Sequence, residues 1–193
     1  MKTTQKAGKE ATHERIVETA ARAIRRTGYD GTSVADIMKE AGLTHGGFYA
    51  HFASREAMLA EAADRAGADA IALVTKLAAG TEPEKMLQAL LDAYFSEAHV
   101  NNTERGCAIA ALGSEMPRQA PEVRRAATRR IKEMIDLVAR QLPGWGQQHA
   151  HEQALATVST MVGALLIARA VDDPKLSRSV CDAARNHLAS IGT

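Results

Sequence analysis

Apolar residues recur at spacings of three and four along most of the chain, and no stretch keeps the strict alternation of a half-buried strand. This pattern predicts an all-α protein of about nine helices joined by short loops. The first helix is expected from about Thr12 to Thr27, with Ile16, Ala20, Ile24 and Thr27 on one face and Arg22, Arg25 and Arg26 turned elsewhere. Gly28 supplies a left-handed stop and Tyr29-Asp30-Gly31 a turn. A second helix begins near Ser33, with Asp36 as its capping-box partner. Val34, Ile37, Met38 and Ala41 face inward, and Gly42 ends it. A short third helix, capped by Thr44, fills His45 to Phe52, and Ser54 caps a long fourth from Arg55 to about Ala79.

Further along, Thr81-Glu82-Pro83-Glu84 combines a capping box with an early proline, so a fifth helix is expected to run to about Val100. A sixth covers about Cys107 to Met116 and a seventh Pro121 to Leu142. An eighth runs from about Glu152 to Val171, and a ninth from Pro174 to near Ile191.

Composition narrows the class. With 193 residues, 46% hydrophobic and 24% charged, the chain is ordinary globular material for one large domain or two small ones. No run reaches the ~20 apolar residues that span a bilayer, and the first residues have no apolar signal core, so a cytosolic protein with no membrane partner is expected. Cys107 and Cys181 lie far apart and read as free thiols. There is no CxxC or HExxH spacing, nucleophile elbow or phosphate loop, so no metal, cofactor or enzymatic activity is expected. The net charge of +1 hides an asymmetry. Residues 1–55 carry nine Lys/Arg against six Asp/Glu, the remainder fifteen against seventeen, which sets positive potential where an anionic polymer could bind.

The second and third helices, joined through Gly42-Leu43-Thr44, have the form of a helix-turn-helix whose second member enters the major groove. Gly46 and Gly47 cost on the order of 1 kcal/mol each in a helix relative to alanine; the missing side chains let the backbone approach DNA. Four of the seven aromatic residues lie at 29, 48, 49 and 52. Phe48 and Phe52 share an inward face. His45 and Tyr49 share a neighbouring one, with a ring nitrogen for base or phosphate and a phenol for phosphate. Lys2, Lys6 and Lys9 read as a solvated tail or, alternatively, as phosphate or minor-groove contacts.

The run from Thr32 to Leu59 resembles the signature of TetR/AcrR-family transcriptional regulators. Its specific parts are Ala41-Gly42-Leu43-Thr44, Gly47-Phe48-Tyr49-Ala50-His51-Phe52 and Ser54-Arg55-Glu56. The resemblance implies a three-helix DNA-binding domain over residues 1–54 and a larger helical ligand-binding and dimerisation domain over 55–193. It places Thr44, His45, Gly46 and Gly47 at bases and nearby phosphates, Tyr49 and His51 at phosphates, and Arg55 as a basic anchor of the long helix to the DNA backbone. Thr32 and Ser33 lie at a helix N-terminus that can meet a phosphate. Ala50 departs from the second aromatic that many members carry there.

The resemblance also implies a ligand pocket enclosed by the fifth to seventh helices and a homodimer formed by the last two. Met86, Leu90, Tyr94, Phe95, Met116 and Met134 are candidates for the pocket, although methionine and aromatic residues at helical spacing are more often plain core. Cys107, after Arg105-Gly106, is either a small buried residue or a thiol inclined to ionise at a helix start. The eighth helix is apolar nearly all round, so it needs cover on several sides. Met161, Gly163, Ala164, Ile167 and Ala168 are expected at a subunit interface. The expected function is a ligand-responsive repressor. It would bind a palindromic double-stranded operator as a homodimer and be released by a small-molecule inducer; the alternative is a redox or electrophile sensor acting through Cys107.

Overall fold

Nine α-helices and three short 3₁₀ segments make up the computed structural model, which describes residues 2–142 and 144–191, with no strand among them. The helices are α1 (Lys2–Thr27), α2 (Val34–Glu40), α3 (Arg55–Ala79), α4 (Met86–Tyr94), α5 (Glu97–Asn101), α6 (Ala108–Leu112), α7 (Pro121–Ala139), α8 (Gln148–Ala170) and α9 (Pro174–Ile191). The 3₁₀ segments are His45–Ala50, Pro83–Lys85 and Met116–Arg118.

Local signals placed several ends correctly. Gly28 and Gly42 adopt positive φ, +78° and +70°, and stop α1 and the α2 turn. The Ser33 hydroxyl accepts the Asp36 N–H at 3.1 Å, and Ser54 does the same for Ala57 at 3.0 Å at the head of α3. Four expectations are corrected. α1 starts at Lys2, not Thr12: the helix runs through Gly8, whose carbonyl receives the Thr12 hydroxyl at 2.9 Å. The side chains of Lys2 and Lys6 lie outside the described residues, and Lys9 is exposed. The segment after Thr44 is a 3₁₀ helix without a side-chain cap, because two glycines in its first turn support a regular α-helix poorly. The fifth helix divides into α4 and α5: Ser96 donates to the Ala93 carbonyl at 2.8 Å and accepts the His99 N–H at 3.2 Å, closing one helix and capping the next. Thr81 does not cap, because its hydroxyl donates back to the Leu77 carbonyl at 2.8 Å.

Two cores hold the helices together. The first joins α1, α2, Phe48, Phe52 and the first half of α3 to Leu112 of α6 and to Val123 and Ala126 of α7. The second joins Val74 of α3 with α4, the end of α7, α8 and α9. α3 therefore begins in one core and ends in the other. α7 lies along it, fastened by Asp64, which pairs with Arg129 at 3.1 Å and with Arg130. Gly67 allows this packing, since a Cβ there would occupy the place of the Arg130 side chain.

α8 is 23 residues long and its most apolar 18-residue window has a mean hydropathy of 1.4, so it passes the length and composition of a bilayer-crossing helix. Its packing against α7 and α9, with Thr157, Met161 and Leu165 buried, makes it a core helix. Arg25, turned away from the apolar face formed by Ile16, Ala20 and Ile24, is only 3% exposed, and it donates to the Ala66 carbonyl at 3.2 Å and to Asp69 at 3.1 Å.

Candidate nucleic-acid interface

The first core presents one rigid edge to solvent. Phe48 and Phe52 stack at 5.5 Å between ring centroids and are both buried, and the ring of His13 lies 4.5 Å from that of Phe52. His13 also meets Glu61 of α3 at 2.6 Å, so α1 and α3 grip the 3₁₀ segment from below. On this base Tyr49 stands 71% exposed, its ring edge-on to Phe48 at 5.2 Å. Thr44, His45 and Gly46 are exposed beside it, and Gly47 is half-buried. A Cβ added at Gly46 would meet nothing within 4 Å, so nothing inside the protein demands glycine there.

The side chains of Thr32, Ser33 and Arg55 have partners inside the protein. Thr32 is 4% exposed; its hydroxyl donates to the Gly28 carbonyl at 2.7 Å and lies 2.8 Å from that of Thr27. Its side chain closes the α1–α2 turn and cannot reach an outside partner. The Ser33 hydroxyl is committed to Asp36, both to its N–H and to its carboxylate. Arg55 turns inward and donates to the carbonyls of Tyr29 and Thr32. This guanidinium nitrogen, held on two carbonyls, secures the turn. His51 is half-buried beside His13 and Phe52, its Nδ1 without a partner. Burial first, then the charges of His13 and Lys9, lower its pKa.

A cavity of about 330 Å³ opens between α3, α6 and α7. Of the expected pocket residues, Cys107, Met116 and Met134 lie in its wall. Met86, Leu90 and Phe95 are instead buried in the second core with Tyr94 packed against them, and take no part in the cavity. Sequence reasoning missed Ala63, Gly67 and Ala70 of α3, small residues whose only signal is that they leave room, and Tyr29 from the α1–α2 turn. Cys107 is buried and starts a helix of only five residues, its N–H given to His99 Nε2 at 3.1 Å. That environment favours the buried structural role over thiol sensing.

Three ties join this head to the helices around the cavity. The Tyr29 N–H donates to Glu115 at 2.8 Å, Arg26 bridges Glu40 at 2.8 Å and Glu104 at 2.9 Å, and Arg25 meets Asp69.

On α8 the expected interface residues divide between two faces. Met161, Ala164 and Ala168 are buried within their own subunit, which corrects their assignment. Gly163 has open space where a Cβ would stand, and Ile167 is 48% exposed. Leu155 and Leu166 of α8 and Leu176 of α9 are exposed as well.

Comparison with known proteins agrees with this geometry. Residues 16–62 match the family described as bacterial regulatory proteins, tetR family. Residues 83–180 match the C-terminal domain of LmrA/YxaF-like transcriptional regulators. An uncharacterized HTH-type transcriptional regulator of Mycobacterium tuberculosis is 34% identical over 165 residues, covering 81% of this chain and 83% of its own. A TetR-family regulator from Agrobacterium tumefaciens superposes with a TM-score of 0.79 at 23% identity, over 96% of this chain and 100% of that one. One from Chloroflexus aurantiacus does so with 0.78 at 26% identity, over 95% of each.

Proposed function

The chain belongs to the TetR family of DNA-binding transcriptional regulators, and from that premise we propose that it is a repressor that holds a palindromic operator as a homodimer and releases it when an inducer enters the cavity. It would act in the cytoplasm on double-stranded DNA, with residues 1–54 as reading head and 55–193 as the ligand-binding and dimerising body.

The observation that carries the reading is Tyr49, a large aromatic left exposed on a segment whose neighbouring rings are buried. Tyr49 would meet a phosphate, with Thr44, His45, Gly46 and Gly47 facing bases and the adjoining backbone. The empty space at Gly46 suits close approach of a groove edge. His51, behind this face, would orient it.

Dimerisation is assigned to the exposed strip of Leu155, Leu166 and Ile167 with Leu176, where Gly163 lets a partner helix come close. A two-fold pairing through this strip sets two heads side by side, matching half-sites a whole number of helical turns apart. Coupling would run through α3, shared by both cores, and through the Glu115–Tyr29 contact. An inducer acts only if it binds the DNA-incompetent arrangement more tightly.

The test is selection of binding sites from random double-stranded DNA, followed by titration across salt. A recovered palindrome, bound by two copies with an affinity that falls steeply with salt, is the expected result. Recovery of no sequence preference, or a salt-independent affinity, overturns the reading.

A further inference from the structure

α7 turns one stripe to the cavity. Arg124, Ala127, Thr128, Ile131 and Met134 recur at helical spacing and all stand in its wall. Arg124 and Thr128 also border a shallow hollow on the outer surface, together with Pro121, Arg125 and Arg129. These two shared residues mark where the cavity meets solvent, so they form its rim on the α7 side.

Charge at this rim is unbalanced. Arg124 and Arg125 are exposed, and neither has an ion-pair partner among the described residues. Arg129 shares Asp64 with Arg130 and keeps its side chain 65% exposed. Three guanidinium groups therefore border one hollow, and no carboxylate stands among its lining residues. Arg125 and Arg129 lie four apart, a spacing at which like charges repel. An exposed arginine alone asks for no partner, but three beside an apolar opening set a positive potential at its mouth. Elsewhere in the wall, Arg130 is answered by Asp64 and Glu133. Ala63, Ala70, Ile109 and Leu112 join Ile131 and Met134 to make the interior apolar. Arg124 is thus the charged residue of the wall left without a counter-ion.

We infer that the cavity takes an amphipathic anion, with an apolar body held between α3, α6 and α7 and a carboxylate at the rim on Arg124. The inference rests on the proposed reading of this cavity as the effector site. At roughly 30 Å³ per water, about 330 Å³ accommodates on the order of ten non-hydrogen atoms, the size of a medium-chain acid. A guanidinium suits a carboxylate because its N–H groups can meet both oxygens. Thr128, the other rim residue, already gives its hydroxyl hydrogen to the Arg124 carbonyl at 2.7 Å, which leaves the guanidinium as the donor. An uncharged ligand would gain nothing from the field at the mouth, and a cation would be repelled by it. Val123, next to Arg124 in sequence, is buried in the first core, so the anchor of the ligand sits one residue from the packing that carries the reading head.

The test compares octanoate with octanamide, an uncharged molecule of the same shape, and with octylammonium, by ligand-detected NMR titration of the full chain. Wild type should bind octanoate about tenfold more tightly than octanamide, the worth of one charge-assisted contact in water, and the preference should shrink as salt is raised. Arg124→Gln should fold as wild type does, since its side chain has no partner to lose, and should bind the two within about twofold of each other. Lys132→Gln removes the same charge from an exposed position of α7 outside the wall and should leave the preference intact. Ile131→Trp and Ala70→Leu, two separate ways of filling the cavity, should abolish binding. Equal binding of octanoate and octanamide by wild type, a preference that survives Arg124→Gln or is lost equally in Lys132→Gln, or tighter binding of octylammonium overturns the inference and leaves the cavity as a site. Binding of none of the three to wild type, or binding that survives in a folded cavity-filling variant, overturns the cavity reading and the inference with it.

Discussion

The main-chain N–H of Tyr29 donates to the Glu115 carboxylate at 2.8 Å, tying the turn that leads into the reading head to the segment that follows α6. Gly28, the preceding residue, has φ +78°, and a Cβ there would collide with the same carboxylate. The two positions therefore share one contact. Glu115→Ala removes a charge-assisted hydrogen bond and should cost about 1–2 kcal/mol, while Gly28→Ala should cost about 1–3 kcal/mol from strain and collision. In urea unfolding the double variant should lose at least about 0.5 kcal/mol less than the sum, since deleting the carboxylate relieves the collision. Simple additivity would show that Gly28 and Glu115 do not meet as described.

Separate effects on stability and on DNA binding should distinguish the exposed face from the residues beneath it. Tyr49→Ala should change stability by less than about 0.5 kcal/mol, yet weaken binding to all DNA sequences alike. His45→Ala should alter preference at particular bases by about 1–3 kcal/mol. Arg55→Ala should behave oppositely, lowering the melting temperature while leaving the salt dependence of DNA binding unchanged, because its guanidinium serves the Tyr29 and Thr32 carbonyls. A salt slope that drops by about one unit in Arg55→Ala would restore its phosphate role.

For the proposed subunit contact, Ile167→Glu should yield a folded monomer in sedimentation where the unaltered chain sediments as a dimer, since the side chain is half exposed in the single chain. Leu165→Ala, two residues away but fully buried, should cost about 2–5 kcal/mol of stability. A dimer that survives Ile167→Glu places the interface elsewhere.

Stability should also fall with acid through His99. Its Nε2 accepts the Cys107 N–H at 3.1 Å, so the ring proton sits on Nδ1 and is donated to the Tyr94 carbonyl. A second proton would have to displace the Cys107 N–H. Burial, opposed by the Tyr94 carbonyl and reinforced by the charge of Arg169, lowers the pKa below 6.5. The unfolded chain then binds this proton first, so the contribution is whole above about pH 6.5 and is lost as pH falls toward the folded value. His51, lowered by burial and then by His13 and Lys9, adds a loss of the same sign. Denaturant unfolding at pH 7.5 and 5.5 should show the decrease, and His99→Gln should reduce it. A profile unchanged by His99→Gln would show that the ring is not held neutral.

Which parts of this protein are legible in the sequence follows from the range of the forces involved. Ser33 with Asp36, Ser54 ahead of Arg55, and the left-handed glycines at 28 and 42 act within one helical turn, so the bounds of α2 and α3 could be read from neighbouring residues. The motif from Ala41 to Glu56 likewise carried the family, and the spacing of Phe48 and Phe52 showed which face of the head is buried. Tertiary packing decided the rest. α8 is apolar on nearly every side, so its own pattern could not tell Ala164 and Ala168, buried in their subunit, from the exposed Leu166 and Ile167; the positions of α7 and α9 made that choice. No local pattern shows that Arg25 meets Asp69 or that Arg55 meets the turn carbonyls, because the fold brings these partners near. The cavity exists because Ala63, Gly67 and Ala70 are small where α3 faces α6 and α7, and Tyr29 joins its wall across a long separation in sequence. A hole is a property of several helices packed together, and no local pattern in any one of them encodes it.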